Sequence, residues 1–438
     1  LVVYRDLRVR IDFTGGNGYF GEDRLRNKFW EPVLKGHLLN YSSLPKIDFY
    51  QPLEPKQEGY EYVIIVPDDP DFQAWGDSVK AWRKLQGIYT EVFALSEIGG
   101  NSVSAIQTFV DTAYSNWAMP PVAFLLLSDY QSSGKLYGIT SPIWNSYCVS
   151  DNMYADVNGD DLPELNFARI TAQNPTHLQE MVTKFLDYER NPPTDPGFYD
   201  HPLMACGWQT ERWFQLCTEI VRGFMINELG KDPARQYNVY SGSPSPGCAW
   251  STNPNTYMLI DYFGSAGLGY VPDTNPYTYS WWDNGSATGI NAAINSGAFL
   301  VQHRDHGYEE GWGEPDYNIS HLPGLSNDML TFVFSINCLT GKYNWSSECF
   351  AEAFHRMHYG ALGLFAASEI SYSFVNDTYV FGYWDLLYPE FDPGYSSGDL
   401  TGHTNLRPGF ANASGKYYLQ AHNWPYNPEH KVYTYHLF

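Results

Sequence analysis

Residues 331–353, TFVFSINCLTGKYNWSSECFAEA, decide how this chain is read. The segment opens with an apolar run that fits a buried strand. It breaks at Asn337-Cys338, and a glycine follows at Gly341. A helical pattern then starts, with Ser346 as its expected N-cap and Glu348 in the first turn. A cysteine just past a buried strand lies at the carboxyl edge of a sheet, where open α/β folds place their ligands. Upstream, GAFLVQ at 297–302 reads as a second buried strand and runs into His303-Arg304-Asp305-His306-Gly307. If the two strands are neighbours, their ends bring a thiol and an imidazole to one edge, as nucleophilic thiol chemistry requires.

Outward from there, strands alternate with helices. YVIIV at 62–66 is a strand, 71–86 a helix by its apolar spacing, 89–95 a strand, 102–114 a helix and 122–127 a strand. A further helix at 177–189 closes at Asn191-Pro192-Pro193. The pattern restarts with an apolar strand at 202–206, a long helix at 211–229 and a strand at 237–240. Residues 241–284 are rich in Gly, Pro and Tyr and read as loops. A helix at 287–295, the histidine and cysteine strands, a helix at 346–358 and a strand at 361–367 follow. This order predicts an α/β fold with mostly parallel sheets flanked by helices. It divides into a β-rich N-terminal segment (1–55), the possible end of a pro-domain, and two α/β subdomains, 56–200 and 201–438. VYTYHLF at the end reads as a strand cut short. Leu1 in place of Met, with no signal-peptide pattern, leads us to expect a processed or trimmed chain.

Composition narrows the function. Of 438 residues 17% are charged, yet the net charge is −23. That balance argues against nucleic-acid binding, which needs clustered Lys and Arg, and suits an extracellular protein. No apolar run reaches the length of a membrane span. The six cysteines show no paired metal spacing, and one or two disulfides are compatible with them. DVNGDDLPE at 156–164 places Asp156, Asn158, Asp160 and Glu164 around a glycine turn. It suits a structural calcium ion, although it lacks the twelfth-position Glu of an EF-hand; an unliganded Asx turn is the alternative reading.

Several segments, in one order, resemble the gingipain-type cysteine peptidases of family C25, clan CD. They are YVIIVPDD at 62–69, LQGIYTEV at 85–92, VAFLLLSD at 122–129, and ELNFARI at 164–170 with the helix ending in DYERNP. DHG at 305–307 stands where that family has Gly-His-Gly, and NCLTGKYNWSSECFAEAF at 337–354 where it has Ala-Cys-x-x-Gly and Pro-Cys-Phe-Ala-Glu-Ala. The resemblance implies a caspase-like fold, with Cys338 as nucleophile and His306 as general base or acid. The backbone N–H groups of Cys338 and Gly307 would form the oxyanion hole.

The family orients its histidine with an acidic residue after the strand at 202–206. Direct register gives Gln209 here, and Glu211 is the nearest carboxylate; both stay open for that role. The arginine-selective members carry an Asp on the helix that here has Gln215. Near Phe374 the family has a Trp lid, and near Asp377 the lysine-selective member has an Asp. This leads us to expect Asp377 at the base of the first specificity pocket, receiving a basic side chain, Lys more readily than Arg. A solvated loop Asp is the alternative. Trp312, with Trp281 and Trp282, is placed to line a substrate groove, or else in the core. The expected protein is a secreted cysteine endopeptidase acting on protein or peptide substrates, with no catalytic cofactor. A sortase-like transpeptidase on the same site and a catalytically silent binding module are the rival readings.

Overall fold

The strand signals at 62–66 and 122–127 become the centre of a four-stranded sheet in the computed structural model. The structure describes residues 21–38, 41–49, 58–132, 137–244, 250–273, 275–394, 407–422, 424 and 428–438. The first sheet has the order Thr90–Ala94, Tyr62–Val66, Ala123–Leu126, Asn166–Arg169, and every pairing is parallel. Alternation along its central strand feeds two cores. Val63 and Ile65 pack with Ile106 and Val110 on one face; Ile64 and Val66 pack with Phe72, Val79 and Leu178 on the other. Its helices start where short polar side chains cap them. Asp69 accepts from the N–H groups of Asp71 and Phe72, Ser102 from Ala105, and Asn174 from His177.

A five-stranded sheet follows, in the order Ala361–Ala366, Thr331–Ile336, Leu300–Arg304, Leu203–Gln209, Ala234–Ser241, again all parallel. The cysteine strand and the histidine strand are thus neighbours near its centre. The long helix Phe214–Asn227 packs on this sheet, with Gly230 in the left-handed region at φ +64° just beyond it. After the histidine strand, a three-stranded antiparallel ribbon (Gly307–Tyr308, Gly311–Trp312, Tyr317–Asn318) leads away from the edge.

The two sheets are held together by buried cations. Lys184, on the helix Pro175–Arg190, donates to the carbonyls of His355, Met357 and Ala361 at 2.5, 2.8 and 2.9 Å. Arg356 reaches Asp129 at 3.1 Å and Glu352 at 2.8 Å.

Four expectations are corrected here. VYTYHLF is not a strand but the end of a helix, Pro428–Leu437, which buries Lys431, Thr434, Tyr435 and Leu437 at helical spacing. The helix expected from Ser346 begins later, at Phe350–Arg356, because Glu352 accepts from the Cys349 N–H and fixes the start there. The described part of the N-terminal segment is helical, not β-rich: Glu31–His37 is an α-helix, and Phe29 stacks on Phe410. VVYRDLRVRIDF at 2–13, whose alternation reads as an amphipathic strand, lies outside the described residues. Among the described residues, Cys148, Cys206, Cys217, Cys338 and Cys349 are all free thiols. No helix among them is long and apolar enough to cross a membrane.

Candidate active site

Register places the two reactive side chains. Parallel pairing sets Arg304 opposite Ile336. His306 and Cys338 each follow two positions later (306 − 304 = 338 − 336 = 2), at the carboxyl edge. The loops they start touch through Gly307. A Cβ there would lie 2.6 Å from Asn337 Oδ1 and 2.7 Å from the Cys338 carbonyl, so only glycine allows this approach. Leu339, next to the cysteine, holds φ +64°, an uncommon conformation for a non-glycine residue.

Cys338 is partly exposed, whereas the other four described thiols are buried. Burial pushes the Cys148 thiol up to about 12, and those of Cys206, Cys217 and Cys349 well above the usual range. Cys338 Sγ accepts from the Ser371 N–H at 3.4 Å. The Ser371 hydroxyl donates to the Asn337 carbonyl at 2.8 Å, so the segment after Ala361–Ala366 is stitched to the cysteine turn.

His306 Nε2 lies 2.6 Å from Gln209 Oε1, and Gln209 Nε2 in turn donates to Glu211 Oε1. An amide oxygen can only accept, so Nε2 carries the proton and Nδ1 keeps its lone pair. The ring is held edge-on to Phe214 and against Tyr240, with centroids 5.3 and 4.4 Å away. Burial lowers the His306 pKa to about 4, helped by the positive charges of Arg304 and Arg212 and opposed by Glu211. The imidazole is therefore neutral through the physiological range.

His303 plays a different part. It is buried and stacks on Trp312 at 4.2 Å, with Nε2 donating to the Glu314 carbonyl at 3.0 Å. Asn337 Nδ2 donates to its Nδ1 at 2.8 Å, so His303 braces the turn that carries Cys338. Its pKa falls to about 3, chiefly by burial. Asp305 is pressed onto Gly207, where a Cβ would lie 2.3 Å from its carboxyl carbon, and it accepts from the Glu314 N–H at 2.8 Å. Burial raises its pKa to about 8.

The structure brings Cys338, His306 and Gly307 together and leaves other expected residues elsewhere. The ring of His306 hydrogen-bonds Gln209, to which direct register with the family pattern pointed, and Glu211 bonds Gln209 in turn. Asp377 does not offer a free carboxylate to a pocket. It is 0% exposed, and Arg304 Nε donates to its Oδ1 at 2.6 Å. Its Oδ2 accepts from the Phe374 N–H at 2.9 Å, fixing that residue at φ +72°. Trp312 is core rather than groove, fully buried with Nε1 donating to Ser335 Oγ at 2.8 Å. Phe374 is only partly buried and meets Trp213 edge-on at 4.8 Å.

In the 156–164 turn the carboxylates bond the backbone of their own loop. Asp156 accepts from the N–H groups of Gly159, Asp160 and Asp161, and Glu164 from Val157 and Asn158. The carboxylates thus satisfy their own loop, and no metal-holding group of His, Cys, Asp or Glu forms among the described residues. Sequence reasoning missed Arg304 and Ser371, whose partners lie 73 and 33 positions away.

Comparison with known proteins completes the description. Residues 55–432 match the model of peptidase family C25. The chain is 24% identical over 365 residues to Gingipain R2 of Porphyromonas gingivalis, covering 81% of this chain and 42% of that one. It is 23% identical over 295 residues to Lys-gingipain W83 of the same organism, covering 66% of this chain and 14% of that one. It thus spans less than half the length of the curated relatives it matches. A crystal structure of the Arg-specific cysteine proteinase gingipain R superposes with a TM-score of 0.66 at 18% identity, over 89% of this chain and 78% of the other. A complex of pro- and mature domains from P. gingivalis gives 0.64 at 18% identity, over 86% and 77%. These superpositions agree with the caspase-like α/β architecture.

Proposed function

The chain belongs to peptidase family C25, and on that premise we propose that it is a cysteine endopeptidase with Cys338 as nucleophile and His306 as its proton carrier. The observation that carries the reading is the Gly307–Cys338 contact, which joins the two strand ends at one edge. Because His306 is a weak base here, the resting pair is thiol and neutral imidazole, not a standing ion pair. As Sγ attacks the scissile carbonyl, the thiol proton passes to His306 Nδ1. The tetrahedral oxyanion is met by the N–H groups of Gly307 and Cys338, each contributing about 3 kcal/mol. Collapse breaks the C–N bond, and the leaving amine takes the proton from His306. Water, deprotonated by the same imidazole, then releases the acid product and restores the thiol. Gln209 keeps the ring in the required tautomer.

The printed names of the relatives raise a preference for Arg or Lys before the cut. The carboxylate that would carry it, Asp377, is neutralised by Arg304, so basic selectivity is not part of this proposal. Action outside the producing cell is, supported by the acidic balance of the chain; finding the protein only in cell extract and never in the medium would refute it. The test of the chemistry is digestion of an unfolded protein and of quenched peptides, with and without added amine. We expect free carboxyl termini in both cases. Products that form only when they carry the amine would establish a transpeptidase instead, and no cleavage by the folded chain would remove the enzyme reading.

A further inference from the structure

Resting on that reading, we propose that Arg212 sets the specificity of the first substrate pocket and selects an acidic side chain, Asp or Glu, before the scissile bond. Arg212 lies three residues past Gln209, the residue that holds His306 (212 − 209 = 3). Its guanidinium carbon is 5.8 Å from the centre of the Phe374 ring. Phe374 is three residues beyond Ser371, whose backbone touches the Cys338 sulfur (374 − 371 = 3). Arg212 thus sits over the ring of Phe374 and within electrostatic reach of His306. Its charge already reaches the imidazole, since it helps depress the His306 pKa.

Apart from the Phe374 ring, the guanidinium has no charged partner among the described residues. Among the described residues it forms no ion pair, and its Nε is sealed from solvent with no acceptor. This is unusual in a chain with 49 acidic and 26 basic residues, and buried donors are normally paired. The carboxylates that might answer it are engaged elsewhere. Asp377 belongs to Arg304, and Glu211 turns to Gln209. Gln215 is neutral, and its amide is taken up by the carbonyls of Gln209, Arg212 and Trp250. A substrate carboxylate would supply the missing acceptor. A Lys or Arg side chain would meet the like charge of Arg212, with Asp377 already held by Arg304. The aromatic pair Trp213 and Phe374 would flank the aliphatic part of the substrate side chain.

The experiment is a panel of internally quenched peptides that differ only before the cut: Asp, Glu, Asn, Gln, Leu, Lys and Arg. We expect the acids to exceed their amides by about 10- to 100-fold in kcat/KM, the range of a charge-assisted pair, and to exceed Lys and Arg by more. In Arg212→Glu the order should invert toward Lys and Arg, while Arg212→Lys should retain an acid preference. A wild-type chain that cuts the panel but prefers basic or neutral peptides overturns the inference and leaves the peptidase reading intact. An acid preference that survives Arg212→Glu, with thermal melting unchanged, also overturns it. A wild-type chain that cuts none of the panel and no unfolded protein sinks the peptidase reading, and this inference with it.

Discussion

Two arginines end two parallel strands, one in each sheet, and they are treated differently. Arg169, last in Asn166–Arg169, donates from Nε and Nη2 to Asp151 at 2.8 and 2.9 Å. Its Nη1 serves the carbonyls of Ser128, Asp129 and Ile139. Arg304, last in Leu300–Arg304, has one carboxylate oxygen at 2.6 Å and one carbonyl at 3.3 Å, and its Nη2 has no partner. Near it, Asp305 Oδ1 and Arg212 Nε are also unmatched. The arginine that ends one strand thus has every donor partnered, and the arginine that ends the other does not. Unmatched buried polar groups cost stability and persist where something else is required of them. The fully partnered arginine reads as a strut, and the other lies at the edge proposed as the site.

The sharpest way to break this comparison is at the nucleophile. Cys338→Ala should lower kcat/KM about 10⁴-fold or more without changing the melting temperature; residual turnover within tenfold of wild type would mean the chemistry lies elsewhere. Glycines come next. Gly307→Ala forces a Cβ to 2.7 Å from the Cys338 carbonyl and should cost about 100-fold in kcat/KM. Gly159→Ala, in the saturated turn at φ +76° with open space around it, should cost about 1 kcal/mol in denaturant unfolding and nothing in turnover.

The carboxylate partners sharpen the contrast further. Asp377→Asn leaves Arg304 buried without its counter-charge and should lose about 3 kcal/mol. It should also lose activity, because Asp377 fixes Phe374. Asp151→Asn should reduce stability alone, as read by paired unfolding and turnover curves.

The smallest effect is in pH. With His306 lowered to about 4, the acid limb of kcat/KM should fall near pH 4 rather than near 6.5. Removing a cation relieves the imidazolium, so Arg212→Gln should move that limb upward. The same shift acts on stability. His306, and His303 lowered to about 3, take up protons more readily unfolded than folded. Their contribution is therefore intact above pH 6.5 and is lost as pH falls through 4 and then 3. Denaturation midpoints across that window check the sign.

Much of this was legible in the sequence, for identifiable reasons. Period-2 and continuous apolar runs marked the strands, and once the two strands were taken as parallel neighbours, Cys338 and His306 fell at the same edge. What failed was what depends on distant partners or short windows. VYTYHLF alternates like a strand, yet its apolar positions also fit a helix face, and seven residues do not separate the two periods. Asp377 looked available because nothing near it in sequence reveals Arg304. Trp312 looked exposed because nothing nearby reveals that His303 stacks on it.

The central claim is that Cys338 and His306 form one reactive centre. Its most direct test is mass-spectrometric mapping of a peptidyl acyloxymethyl ketone adduct on the native chain, at one equivalent of reagent. The account predicts a single thioether on Cys338 among the six cysteines, lost in Cys338→Ala and slowed strongly in His306→Ala. An adduct on any other cysteine, or labelling indifferent to both substitutions, would contradict it.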